Sequence, residues 1–212
     1  MKAPYKKFFI TALTIAWVGL SIYWVSLLHA GHLLAFENKI QPNAISSLIS
    51  DQKKWTMIHI FAPKCRCSEF LLKELSARAP LSDTQEVVVT LGAFPEAEIL
   101  RAKGYEVVQK SIEQLKTEEK VLLEGVPFFI IAQKDHTVAY AGGYADEKIN
   151  PNTKLKYLEI FADLQAGHTV ATLAVKGCPV SEKYQRMLNP FGLNYNEKEP
   201  GEKNERLPSS VQ

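Results

Sequence analysis

The stretch Trp55–Leu75, WTMIHIFAPKCRCSEFLLKEL, decides the fold of this chain. An apolar run typical of a strand ends in a loop with two cysteines, and an amphipathic helical pattern follows at once. This order places Cys65 and Cys67 at a helix N-terminus, where the macrodipole and the free backbone N–H groups stabilise a thiolate. The two thiols are therefore the first candidate for a redox or metal site.

Composition excludes one class of partner. The chain has 212 residues, a hydrophobic content of 46%, a charged content of 23% and a net charge of +2. These values are ordinary for a globular protein. Because no basic patch with interleaved aromatic residues is present, we do not expect a nucleic-acid partner.

The N-terminus predicts a membrane anchor. Three lysines in residues 1–7 precede an uncharged run of 21 residues, 8–28, and about 20 apolar residues span a bilayer as a helix. We expect a single transmembrane signal-anchor at 8–28, with 1–7 in the cytoplasm and the rest outside it, in the periplasm for a bacterial protein. A cleaved signal peptide and a buried core helix are the alternatives.

Beyond the anchor, helical patterns alternate with buried strands, and a hairpin then closes the series. This order predicts an α/β sandwich with a mixed sheet. After it, we expect a strand over 168–175 and a helix opened by Cys178 and Pro179. The expected boundaries are a linker at 29–41, the domain at 42–166, an extension at 167–193 and a disordered tail at 194–212.

Three features in order resemble the thioredoxin superfamily. The strand followed by FAPKCRC (61–67) and a helix resembles that family's strand–FWAxWCxxC–helix, with one residue fewer between the cysteines. GVPFF (125–129) resembles its Gly-Val-Pro signature, and a hairpin and a terminal helix follow. The resemblance, closest to membrane-anchored extracytoplasmic members with a C-x-C motif, implies a thioredoxin-like three-layer sandwich.

The resemblance also implies roles for individual residues. Cys65 is expected to be the nucleophile and Cys67 the resolving thiol, and Pro127 is expected to be cis and to face them. Val126 would then pair through its backbone with an extended substrate peptide. His59 stands where the family holds a buried acidic proton relay, and it is either such a relay or a core histidine with a structural partner.

Two further residues bear on the redox chemistry. Arg66 adds a positive charge beside both sulfurs, which favours thiolate and a substrate contact. A disulfide from Cys65 to Cys67 closes a small ring, so we expect a couple more oxidising than thioredoxin's roughly −270 mV. Cys178 is either a third redox thiol or an unpaired structural one.

Three functions fit these patterns. The leading hypothesis is a membrane-anchored thiol–disulfide oxidoreductase that needs no cofactor or metal and acts on a protein disulfide or dithiol. The second is a Cu(I) chaperone in which Cys178 or His136 completes the ligands of the cysteine pair. The third is a binding module without catalysis, whose groove holds a peptide.

Overall fold

The computed structural model describes residues 3–41, 44–50 and 54–188. The helices are α1 (Ala3–Leu33), α2 (Arg66–Ala77), α3 (Ala97–Ala102), α4 (Ile112–Thr117), α5 (Tyr157–Gln165) and α6 (Glu182–Leu188), with a 3-10 turn at Ser46–Leu48. The strands are β1 (Lys39–Ile40), β2 (Trp55–Phe61), β3 (Thr84–Thr90), β4 (Glu106–Gln109), β5 (Val121–Leu122), β6 (Gly125–Val126), β7 (Phe128–Ala132), β8 (Val138–Gly142) and β9 (Cys178–Pro179).

A five-stranded mixed sheet forms the centre of the domain. Its strand order is β4-β3-β2-β7-β8. Strands β2, β3 and β4 run parallel, and β7 is antiparallel to both β2 and β8. Every residue of β3 and β7 is buried, as the near-continuous apolar runs in these strands predict for a sheet covered on both faces.

Helical layers cover both faces of this sheet. Arg78, which directly follows α2, donates to Tyr157 at the start of α5 and to Glu86 of β3, so α2 and α5 share one face. Side chains alternate between the faces of a strand, and the neighbouring Gln85 donates to the backbone of Leu48 in the 3-10 turn on the opposite side. The predicted thioredoxin-like three-layer sandwich is confirmed.

Two elements after Gly167 differ from the sequence expectation. The expected strand over 168–175 is wrong, since only Val175 forms a bridge, to Phe36. Cys178 and Pro179 do not open a helix: they form β9, antiparallel to β6, and α6 begins at Glu182. Backbone pairing with a distant strand overrides the local helical preference here.

The segments flanking the expected domain are packed against it. Within the expected linker, Phe36 is buried and β1 pairs with β5. The N-terminal part of the expected extension reaches back to that linker, because the Phe36 N–H donates to Val175 O at 2.8 Å. The tail at 194–212, which we predict to be disordered, lies outside the described residues.

Helix α1 carries the apolar N-terminal run. Among the described residues, one stretch, Lys7–Ser26, is long and apolar enough to cross a membrane, with a mean hydropathy of 1.8. None of its most apolar window is buried against the domain, which contradicts the alternative of a core helix. By length and composition α1 fits a membrane anchor or a signal sequence.

An ion pair between the partly buried Arg78 and the buried Glu86 ties the end of α2 to the central sheet. Arg78 Nη1 and Nη2 donate to the two Glu86 carboxylate oxygens at 2.9 and 2.8 Å, and the Leu81 N–H donates to Oε1 at 2.7 Å. Burial alone raises the pKa of Glu86, but the contacts with His59 and Arg78 outweigh it and hold that pKa at about 2. Glu86 is therefore ionised throughout the ordinary pH range.

We expect Glu86→Gln to lower the free energy of unfolding by about 3 kcal/mol at neutral pH, because it leaves Arg78 without its counter-charge. The folded carboxyl titrates near pH 2 and the unfolded one near 4.5. The stabilisation by Glu86 is therefore complete above the unfolded pKa and is lost as pH falls toward the folded one. Urea unfolding at several pH values measures both effects. Glu98→Gln, in the exposed pair with Arg101, is the control, and equal losses in the two variants would contradict the prediction.

Candidate functional site

Cys65 caps the N-terminus of α2. It has extended backbone angles, φ −95° and ψ 108°, and its carbonyl accepts the first helical hydrogen bond, from Glu69 N at 2.9 Å. Lys64 before it has φ 61°, in the left-handed region. The strand therefore turns sharply into the helix, and the Cys65 sulfur lies where the free N–H groups of α2 stabilise a thiolate.

The loop before β7 forms the second wall of the site. The Val126–Pro127 peptide bond is cis. The Asn38 side chain holds this loop, since its Oδ1 accepts from Glu124 N at 2.7 Å and from Gly125 N at 3.0 Å. Its Nδ2 donates to Gly125 O at 2.9 Å. The backbone beside the cis-proline is thus held by a residue of the expected linker.

A disulfide joins Cys65 to Cys178, with a Cα–Cα distance of 5.9 Å. The sequence instead predicts a bond between Cys65 and Cys67. Strand β9 pairs with β6 and places Cys178 opposite Val126, which brings it within the usual range for a disulfide. The bond joins residues 113 positions apart in sequence. The ring-strain argument for a strongly oxidising couple therefore does not apply to this disulfide.

Cys67 is a free thiol in the core. It is 2% exposed, and its Sγ donates to Ile149 O at 3.4 Å. Burial raises the pKa of this thiol, and the nearby Lys148 opposes the rise only in part. A buried, protonated thiol is a poor nucleophile, so in this state Cys67 is not poised to act as the expected resolving cysteine.

His59 is fully buried in the sheet core. Its Nδ1 lies 2.8 Å from Tyr144 Oη, and its Nε2 lies 3.4 Å from a Glu86 oxygen. Burial lowers the pKa of His59, and Glu86 offsets only part of this effect, so the imidazole is neutral at physiological pH. Both ring nitrogens face core partners rather than a cysteine, which favours the structural role over the proton relay.

The remaining predicted residues lie in different places. Arg66 is exposed and lines a cavity of about 620 Å³ on the Cys67 side. Cys65 and Cys178 line a separate one of about 170 Å³. His136 lies in the β7–β8 turn, by another cavity. The described residues bring together no group of three or more His, Cys, Asp or Glu side chains that could hold a metal ion.

Sequence reasoning missed three residues that shape the site. Asn38 carried no local signal, because it lies in a segment that reads as a linker. Tyr144 is the largest of the fully buried side chains and stacks near His59. Gly177 lies against the cis-proline loop, where a Cβ would be 2.0 Å from Val126 O. Each acts through a partner that is distant in sequence.

These elements define a thioredoxin-like fold with a thiol–disulfide site. No protein-family model and no curated protein matches the sequence. Solved structures similar to it include an uncharacterized conserved protein from Geobacillus kaustophilus (TM-score 0.47, 18% identity, 61% of this chain and 77% of that one). A second is a secreted disulfide oxidoreductase of Mycobacterium tuberculosis homologous to E. coli DsbE (TM-score 0.39, 16% identity, 55% and 84%).

A third similar structure is StoA from Bacillus subtilis, with a TM-score of 0.33, 12% identity and coverage of 43% of this chain and 75% of that one. All three similarities concern the backbone arrangement.

We expect the oxidised protein to contain one alkylatable thiol, Cys67, that reacts with iodoacetamide only after denaturation. The reason is its burial and raised pKa. Intact mass before and after denaturation counts the modified thiols, and proteolytic mapping assigns them. The fully reduced protein is the control and gives three labelled cysteines when denatured. Rapid native labelling at Cys178, with Cys65 joined to Cys67, would contradict the disulfide described above.

Proposed function

We propose that this protein is a membrane-anchored thiol–disulfide oxidoreductase whose catalytic domain lies outside the cytoplasm. One observation carries the proposal: the Cys65 sulfur, at the N-terminus of α2 and beside the cis-proline loop, is joined to a second cysteine brought from a distant part of the chain. A disulfide at a position that stabilises thiolate is suited to exchange rather than to structural bracing alone.

The exchange cycle balances with thiols and disulfides alone. In the reduced protein, the Cys65 thiolate attacks one sulfur of a partner disulfide, and the other partner sulfur leaves as a thiolate. A second thiol of this chain then attacks the Cys65 sulfur of the mixed disulfide and releases the partner dithiol. The partner gains two electrons and two protons, and this chain gains a disulfide.

Cys178 is the better candidate for that second thiol. It is bonded to Cys65, whereas Cys67 is buried with a raised pKa. Cys67 keeps the resolving role that its sequence position suggests only if its surroundings rearrange during the cycle. The two candidates predict different effects of Cys178→Ser and Cys67→Ser on the redox transition.

We expect a reversible two-electron transition that joins Cys65 and Cys178 when the full chain in detergent is titrated with glutathione and dithiothreitol buffers. Thiol alkylation and intact mass give the reduced fraction. The transition disappears in Cys65→Ser and Cys178→Ser, and persists in Cys67→Ser. Insulin reduction with dithiothreitol measures activity, and Cys65→Ser falls to the uncatalysed rate because the attacking thiolate is gone.

Two outcomes would overturn this reading. If Cys65→Ser reduces insulin as fast as the unmodified protein, the protein is not an oxidoreductase of this type. If the transition persists in Cys178→Ser and vanishes in Cys67→Ser, the couple is Cys65–Cys67 and the disulfide to Cys178 lies outside the cycle.

The anchor is supported by the exposed apolar stretch Lys7–Ser26 and by the lysines that precede it. Positive residues favour the cytoplasmic side, so the domain is expected on the other side. We expect alkaline phosphatase fused after Leu188 to be active in bacteria and a green fluorescent protein fusion at the same point to be dark. The matched control lacks residues 1–28, and a reversed pattern for the full chain would contradict the orientation.

A further inference from the structure

Residues 173–181, called here the strap, cross the open side of the site. The Gly143 N–H donates to Leu173 O at 2.8 Å, and the Val180 N–H donates to Glu124 O at 2.9 Å. Between these points the Phe36 N–H donates to Val175 O, also at 2.8 Å. The strap thus joins the end of β8, the segment before β1 and the loop before β6.

The strap lies where an extended peptide would pair with the cis-proline loop. Gly125 faces Pro179 and Val126 faces Cys178 in an antiparallel register. Gly177 approaches so closely that a Cβ would lie 2.0 Å from Val126 O and 2.8 Å from the Pro127 ring. A segment with a small residue before its cysteine fits here, and the chain supplies such a segment itself.

The two sulfurs of the disulfide differ in accessibility and in stability as leaving groups. Cys65 is 1% exposed, whereas Cys178 is partly exposed. Cys65 is the N-cap residue of α2, and a helix N-terminus favours a thiolate at that position. Thiol–disulfide exchange is faster when the attacked sulfur is accessible and the departing sulfur has the lower pKa. Both conditions favour attack on Cys178.

We propose that Cys178 is the sulfur attacked by an incoming thiolate, and that the strap which carries it closes the peptide groove until that attack occurs. This inference rests on the proposed oxidoreductase function. The new bond joins the incoming sulfur to Cys178 Sγ, the Cys65–Cys178 bond breaks, and Cys65 leaves as a thiolate. A second thiol of the reductant then attacks the reductant sulfur that is bonded to Cys178. Cys178 leaves, takes up a proton, and the reductant becomes the disulfide.

On this proposal, reduction of the disulfide comes before a partner peptide enters the groove. In the disulfide-bonded form, the chain's own strap fills the backbone positions next to Pro127, and Cys65 is covered. Reduction frees the strap, exposes the Cys65 thiolate and opens the groove to a partner peptide. The disulfide thus acts as a latch as well as a redox couple.

The first test uses glutathione as the incoming thiol on the oxidised full chain in detergent. Samples are quenched in acid at short times, when exchange stops, and the adduct is located by peptic digestion and mass spectrometry. We expect the early adduct on Cys178 to exceed that on Cys65 by about tenfold, because Cys178 is the more exposed sulfur and Cys65 leaves from the N-terminus of α2. An early adduct mainly on Cys65, or no adduct at all in excess glutathione, overturns the proposal.

The second test follows the latch by hydrogen exchange. We expect backbone amides of the strap and of Gly125 and Val126 to lose protection when dithiothreitol reduces the disulfide. Gly177→Ala should lose the same protection under oxidising conditions, because the added methyl group cannot fit beside Val126 O. Ala171→Ser, at an exposed position before the strap, is the matched control. Equal hydrogen-exchange protection of these amides in the oxidised and reduced forms overturns the proposal that the disulfide acts as a latch.

These readouts separate the inference from the proposed function. Neither glutathione mapping nor hydrogen exchange needs a protein substrate. If Cys178 carries the adduct but insulin is not reduced, the assignment of Cys178 as the attacked sulfur stands and the enzymatic proposal fails. If insulin is reduced while the early adduct forms on Cys65, the enzymatic proposal stands and this inference fails.

Discussion

The pairing of β9 with β6 is the contact on which the site depends. This short antiparallel pair brings Cys178 opposite Val126 and into bonding distance of Cys65. Without it, the strap would have no register on the cis-proline loop, and Cys65 would lie open at the end of α2. Because Gly177 has no Cβ, the two backbones approach closely enough for the pair to form. A two-residue strand thus determines which thiol is the partner of Cys65.

The core beneath the site contains a cluster of polar side chains around the buried Glu86. Glu86 receives both arms of the Arg78 guanidinium, and it lies beside His59, whose other nitrogen meets Tyr144. Because the Arg78 guanidinium and the Leu81 N–H hydrogen-bond both carboxylate oxygens of Glu86, the buried charge is tolerated. The imidazole is neutral and packs against Phe129 and Tyr157, which favours a structural role between β2 and α5 over proton transfer to a sulfur.

Prediction from the sequence succeeded where the information is local. The apolar runs of β2, β3 and β7, the amphipathic α2 and the hairpin of β7 and β8 follow from periodicity and turn residues. The position of Cys65 at a helix N-terminus follows from the same stretch. Prediction failed at residues whose surroundings come from far along the chain: Cys178 lies in a strand rather than a helix and bonds to Cys65, Asn38 holds the loop before β7, and Cys67 is buried. No pattern within a short window carries those contacts.

The sequence by itself therefore determined the class of fold, the apolar N-terminal helix and the position of Cys65 at the start of α2, because each depends on neighbours within a few residues. Tertiary structure alone decided which cysteine bonds to Cys65, what fills the groove beside Pro127 and whether His59 can reach a sulfur. Those outcomes depend on the register between β6 and β9 and on the burial of Cys67 and His59. Register and burial are set by packing between segments that are distant in sequence, and local propensity does not encode them. Cys65 and Cys178, for example, are 113 positions apart.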